Sequence, residues 1–195
     1  MPRRRHVRGG LILARQPLIL FAALFVLSTN FCRSAERLRL EENVRSNYGI
    51  TYERFASWLQ TAPVATNFDF PLCPPDARKC YHAQPFGVAD GVVVFAEDIG
   101  GGWGKVLRIV HRLPAGGEYE FVESLYAHFT DMLPQPGNLV RRGEEIGTLG
   151  TAGGLYEAHL HLELRSTIGM PVGGGYGADQ TGFLEPKKFI RAHRR

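Results

Sequence analysis

The sequence predicts a mostly β protein: an antiparallel sheet, sandwich or barrel-like, preceded by short helices and an N-terminal signal or anchor. Three observations carry that expectation. From about Thr66 onward, β-prone runs recur at short spacing between Gly and Pro turns. Ahead of them, residues 36–62 place apolar side chains at helical spacing. Ahead of those, an arginine-rich start runs into an apolar stretch.

A chain of 195 residues has room for one domain and a leader. Net charge is +4, but residues 1–34 hold Arg3, Arg4, Arg5, Arg8, Arg15 and Arg33 and no acid, so the remainder carries −2. The body therefore has no global basic field to recruit nucleic acid. Lys187, Lys188, Arg191, Arg194 and Arg195 close the chain as a solvated last helix and tail. Leu18–Leu27 is apolar and Ser28, Cys32, Ser34 and Ala35 supply small residues after it, the three-part order of an export signal. The apolar run falls short of the roughly 20 residues a membrane span needs. Cleavage after Ser34 or Ala35 and an uncleaved signal anchor are the two alternatives; Phe31 argues against lipidation at Cys32. Either way the body is expected outside the cytoplasm, periplasmic or extracellular, with membrane contact only through the N-terminal segment. The expected organisation is a signal or anchor over 1–35, a helical spacer over 36–65, a β domain over 66–190 and a basic tail over 191–195.

Within the spacer, Glu36–Val44 is charged and Leu-spaced, and Asn47-Tyr48-Gly49 breaks it from a second helix. Thr51 can cap that helix, in which Phe55, Trp58 and Leu59 share a face, and Pro63 ends it. The strand candidates are Gly91–Glu97, Lys105–His111, Tyr119–Phe129, short runs around Leu139, Val140 and Ile146, and His159–Leu164. Gly100–Gly104 lacks the Lys-Ser/Thr ending of a phosphate loop and reads as a hairpin turn. Gly173–Gly175 reads as a loop, and no hairpin tip carries the lysine of a lipoyl or biotin carrier.

His159-Leu-His-Leu-Glu-Leu164 alternates strictly. As a strand it sets His159, His161 and Glu163 on one face and three leucines on the other. Two imidazoles and a carboxylate side by side suit a metal or proton-transfer site; the alternative is a polar face that meets water. Cys73 and Cys80, with Pro74 and Pro75 between them, can close a short disulfide loop outside the cytoplasm. The rival reading makes Cys80 and His82 metal ligands.

The pieces fall in a recognisable order: Gly91-Val-Val-Val, Gly102-Trp-Gly104, Ile109-Val-His111, Tyr126-Ala-His128, Gly137–Gly147, Gly150-Thr-Ala-Gly153 and His159-Leu-His161. Over roughly residues 66–190 the chain resembles the lysostaphin/LytM-type zinc metallopeptidases, whose ending the stretch Thr181–Pro186 with Phe189-Ile190 also resembles. The resemblance implies the fold of that peptidase domain and a role for each matched residue. His161 is implied as a Zn2+ ligand. His128 and His159 are implied as the pair that orients a metal-bound water and stabilises the developing oxyanion. His111 reads as structural. The implied substrates are the peptides of bacterial cell-wall peptidoglycan.

One departure matters. The family carries two further zinc ligands, in a His-x-x-x-Asp or similar motif, just upstream of its Ala-Asp-Gly-Val-Val stretch. Here Tyr81–Gly87 runs directly into Ala89-Asp-Gly91, and the ligand-bearing piece is missing. A catalytic zinc takes about three protein ligands, and His161 alone is matched; His82, Asp76 or Cys80 are the candidates for replacement. Two expectations stand. One is an active zinc endopeptidase with a rearranged site. The other is a relative with impaired or absent hydrolysis that binds cell wall or regulates another cell-wall hydrolase.

Overall fold

The computed structural model describes residues 35–71, 85–115, 118–173 and 177–195. The leader, the Cys73–Cys80 pair and the replacement ligands Asp76, Cys80 and His82 lie outside the described residues. Residues 35–48 form helix α1, which ends where Gly49 turns the backbone to φ +68°. Thr51 then caps α2 (Tyr52–Thr61), its hydroxyl accepting the Arg54 N–H at 3.3 Å. Ala62 is extended, as a residue before proline must be, and the helix stops there.

Seven strands follow: β1 (Gly91–Asp98), β2 (Lys105–Ala115), β3 (Glu118–Met132), β4 (Leu139–Val140), β5 (Gly147–Leu149), β6 (His161–Arg165) and β7 (Phe183–Leu184). They make one antiparallel sheet in the order β4-β1-β2-β3-β6-β7, with β5 also paired to β3. The antiparallel β architecture is the expected one; the sheet is open and does not close into a barrel. Gly100–Gly104 forms the β1–β2 turn, as its glycines suggest. α3 (Pro186–His193) ends the fold, capped by the Glu185 carboxylate on the Lys187 and Lys188 N–H groups. Among the described residues, no helix is long and apolar enough to cross a membrane.

The final strand differs from the expected His159–Leu164. It begins at His161, and His159 makes only an isolated bridge to Gly150. The cause is local: the His159 ring turns back onto the Glu157 carbonyl, Nδ1 to O 2.7 Å, and keeps the preceding residues in a turn.

Both faces of the sheet are covered, so β1 is buried almost continuously rather than alternately. Val93, Leu107, Ile109, Tyr126 and Leu164 pack with Phe68 and with Ile190 of α3. Val92, Val94, Val106, Val110 and Leu125 pack with Val44 and Tyr48 of α1 and Phe55 of α2. Residues 40–62 thus supply core to the same compact unit as the strands, which spans 40–195. Under α1 that face is not apolar throughout. Arg108, Glu123 and Arg165 are fully buried there, and register pairs Glu123 with Arg165, Leu125 with Glu163 and Ala127 with His161.

His111 belongs to the opposite layer. It is fully buried, edge-on to Phe68 at 5.5 Å between ring centroids. Its Nδ1 meets the Asp90 carbonyl at 2.9 Å and its Nε2 the Ser124 hydroxyl at 2.7 Å. Burial pushes its pKa down to about 4, against the pull of Asp90. The fold therefore favours the neutral ring. That stability is complete above the unfolded value near 6.5 and is lost as pH falls from 6.5 towards 4, a total of roughly 3 kcal/mol. Urea midpoints at pH 7 and pH 4.5 should show this loss in the native chain and a flatter profile in His111→Gln; parallel profiles would remove His111 from the account.

Candidate functional site

The site is assembled at the end of β3. Lys105 pairs with Phe129 but Leu107 pairs with Tyr126, so Ala127 and His128 together oppose Val106. This is a β-bulge, and bulges re-aim side chains. His128 takes φ +69°, a left-handed conformation that costs a non-glycine residue on the order of 1 kcal/mol. The Trp103 carbonyl repays it by accepting both the His128 backbone N–H, at 3.1 Å, and the ring, at 3.2 Å. A carbonyl only accepts, so the ring proton sits on Nδ1 and the lone pair on Nε2.

His159 and His161 arrive from the neighbouring edge. The ring centroids of His128 and His159 are 4.7 Å apart, and those of His128 and His161 are 5.5 Å apart. Two aromatic rings complete the wall. Trp103 stands edge-on to His161 at 4.8 Å, and Tyr156 lies 5.3 Å from His128 and 5.8 Å from His159. Tyr156 comes this close because Gly102 has no side chain; a Cβ there would meet the Tyr156 hydroxyl at 2.7 Å. Gly102, Trp103, His128, Tyr156, His159 and Gly173 line a cleft of about 400 Å³. His161 lines a second cleft, of about 460 Å³, that runs along β6, β7 and the start of α3.

Each imidazole has a defined proton. His159 donates from Nδ1 to the Glu157 carbonyl, leaving Nε2 as acceptor. His161 instead presents Nε2 to Glu163 Oε1 at 2.9 Å. Burial raises the Glu163 carboxyl, but the His161 hydrogen bond and the Arg165 guanidinium outweigh it and hold the group below its ordinary pKa. An ionised carboxylate only accepts, so His161 carries a proton on Nε2. Burial pulls the His128 pKa down, the Trp103 carbonyl resists, and the two neighbouring histidines lower it further, so the ring stays neutral at pH 7.

The structure thus brings together His128, His159 and His161, the three site residues the sequence singles out. His111 is in the core, away from them. The Asp90 carboxylate accepts the Arg142 backbone N–H at 2.8 Å. Sequence reasoning missed Trp103 and Tyr156 as walls of the cleft: Trp103 was visible only as the middle of Gly-Trp-Gly, and Tyr156 had no signal. It grouped Glu163 with the histidines without seeing its hold on His161. Among the described residues no three His, Cys, Asp or Glu side chains stand so as to hold a metal ion; Asp76, Cys80 and His82 lie outside them.

Gly150 sets the spacing of the cleft. A Cβ there would fall 2.6 Å from the His128 carbonyl oxygen and 2.6 Å from the Thr130 nitrogen, both backbone atoms that cannot step aside. Gly150→Ala should destabilise the fold by about 1–3 kcal/mol through overpacking and shift the His159 ring signals in NMR. A thermal midpoint within error of the native chain would refute it.

A family model described as "Peptidase family M23" matches residues 83–173. The DD-carboxypeptidase/endopeptidase Mpg of Neisseria meningitidis serogroup B is 43% identical over 84 residues, covering 43% of this chain and 17% of that protein. The peptidoglycan DD-endopeptidase ShyB of Vibrio cholerae is 36% identical over 90 residues, 43% of this chain and 20% of its own length. The lipoprotein NlpD of Yersinia enterocolitica is 34% identical over 83 residues, 42% of this chain and 77% of its own. The aligned stretch is thus a fifth or less of the two endopeptidases. Among solved structures, the catalytic domain of lysostaphin from Staphylococcus simulans aligns with a TM-score of 0.40 at 17% identity, over 70% of this chain and 97% of that one.

Proposed function

The chain belongs to peptidase family M23, and from that premise we propose that it is an exported protein whose histidine cleft binds the peptides of bacterial peptidoglycan, with hydrolysis impaired or absent. The observation that carries the reading is a cleft lined by His128, His159, Trp103 and Tyr156, with the His161 ring beside it, 5.5 Å from His128 and edge-on to Trp103; the sequence lacks the family's further ligand motif. An extended peptide suits such a cleft. Its backbone N–H groups can donate to Nε2 of His128 and His159, and the two aromatic rings offer flat apolar area to its side chains. The relatives named for peptidoglycan endopeptidase activity support the substrate class.

Zinc, where bound, would supply a polarised carbonyl and an activated water; with His161 as the one matched ligand, no step is assigned to it. In binding, His128 and His159 offer Nε2 as acceptors, and His161 is held by Glu163 beside them. A protein that binds wall peptides without cutting them can also regulate another cell-wall hydrolase by presenting or masking substrate. The second reading, an active zinc endopeptidase, keeps one specific argument: the three imidazoles are still gathered as catalysis would require, and Asp76, Cys80 or His82 could complete the metal site.

Zinc content and wall binding separate the two. After dialysis against modest free zinc, the full-length chain should hold well under one zinc per molecule and release no peptides from purified peptidoglycan. It should still sediment with peptidoglycan, and Trp103→Ala should weaken that binding by about tenfold, the loss of one well-packed aromatic contact. Stoichiometric zinc that disappears in His161→Ala, together with peptide release, would establish the second reading instead.

A further inference from the structure

A buried chain of charged groups runs from α1 to the cleft. The Tyr48 hydroxyl donates to Glu123 Oε2, and Gly169 N–H donates to the same oxygen at 3.0 Å. Glu123 Oε1 accepts Arg108 Nε at 2.8 Å and Arg165 Nη1 at 3.4 Å. Arg165 donates from Nε to Glu163 Oε2 at 2.8 Å, and the other oxygen of Glu163 accepts His161 Nε2 at 2.9 Å. The two arginines are pinned from behind, since Arg108 Nη2 and Arg165 Nη1 both donate to the Met170 carbonyl, at 2.7 and 3.1 Å. Replacing such a network with apolar side chains often stabilises a fold. Every link ends on the orientation of one imidazole.

We infer that Glu163 is the positioning residue of the cleft, and that Tyr48, Glu123 and Arg165 hold it so that His161 keeps its proton on Nε2 and turns Nδ1 away from the carboxylate. The outer end of this chain is on α1. That helix is bound to the 168–170 turn by Asn43 Nδ2 on the Ile168 carbonyl, 3.1 Å, and Asn47 Nδ2 on the Gly169 carbonyl, 2.8 Å. The segment before the sheet therefore bears on the chemistry of the cleft and is more than packing. His128 has its own restraint, the Trp103 carbonyl, and is independent of this chain.

The inference concerns the cleft of the proposed function but is read on His161 itself. Long-range 1H–15N spectra of the full-length chain in EDTA, at a pH where the ring is neutral, report the tautomer of each histidine. In the native chain His161 should be Nε2-protonated. In Glu163→Gln the ratio of Nε2-H to Nδ1-H should fall by about tenfold, the factor one charge-assisted hydrogen bond carries. Tyr48→Phe keeps the ring over Arg108, where the guanidinium carbon lies 4.5 Å from its centroid, and should fold normally. It should move the His161 signals in the same direction by a smaller amount, with those of His128 unmoved. Unchanged His161 signals in either variant would overturn the inference, as would equal shifts at His128, which would mean general loosening. Failure to bind peptidoglycan with these signals as expected would defeat the proposed function and leave the positioning intact.

Discussion

A carboxylate with no exposed surface has to be surrounded by donors, and Glu123 is: a tyrosine hydroxyl, a backbone N–H and two guanidinium groups face its two oxygens. Such a cluster is not a source of net stability, because desolvating the ions roughly cancels their attraction. Its effect is conditional. Remove one of its charged members and the others are left as buried, uncompensated charge, which costs about 3–5 kcal/mol. The neighbours are therefore obliged to hold their places. α1 must end where Tyr48 can reach in, the turn at Gly169 must stay against the sheet, and β6 must keep the register that sets Arg165 opposite Glu123.

That register carries through to the cleft. Counting from Arg165, alternation places Glu163 and His161 on the same face, and pairing sets His161 opposite Ala127. The next residue of β3 is His128, the extra residue of the bulge. Slipping the β3–β6 pairing by one position would send the imidazole to the leucine side. The ionic cluster forbids the slip, and Leu162 and Leu164, packed on the other core, oppose it as well. One interaction set thus fixes a strand and places the first of the three imidazoles.

Where side-chain periodicity or turn chemistry decides the structure, the residues announce it. Thr51 as a cap, the glycine turn at 100–104, the long strand pairs and the alternation from His161 onward are legible in this way. His128 could be picked out because Tyr126-Ala-His128 matches a family piece, but nothing local reveals that it sits in a bulge; that depends on how two strands count against each other. Tyr48 looked like part of a helix break, and its partner is 75 residues away. Glu123 lies in a strand candidate full of acids, where no pattern separates it from Glu118 or Glu120. Pairing between distant charges has no period, so it has no sequence signal.

The three imidazoles are not held alike. His128 is clamped by backbone and His161 by the ionic chain, whereas His159 is exposed and precedes the regular strand. Its approach, residues 151–158, is tied mostly to itself, through Gly154 and Tyr156 N–H groups on the Thr151 carbonyl at 3.2 and 3.1 Å. Two of the histidines are thus anchored to the sheet, while the third takes its place from a local turn joined to the sheet by the Gly150–His159 bridge.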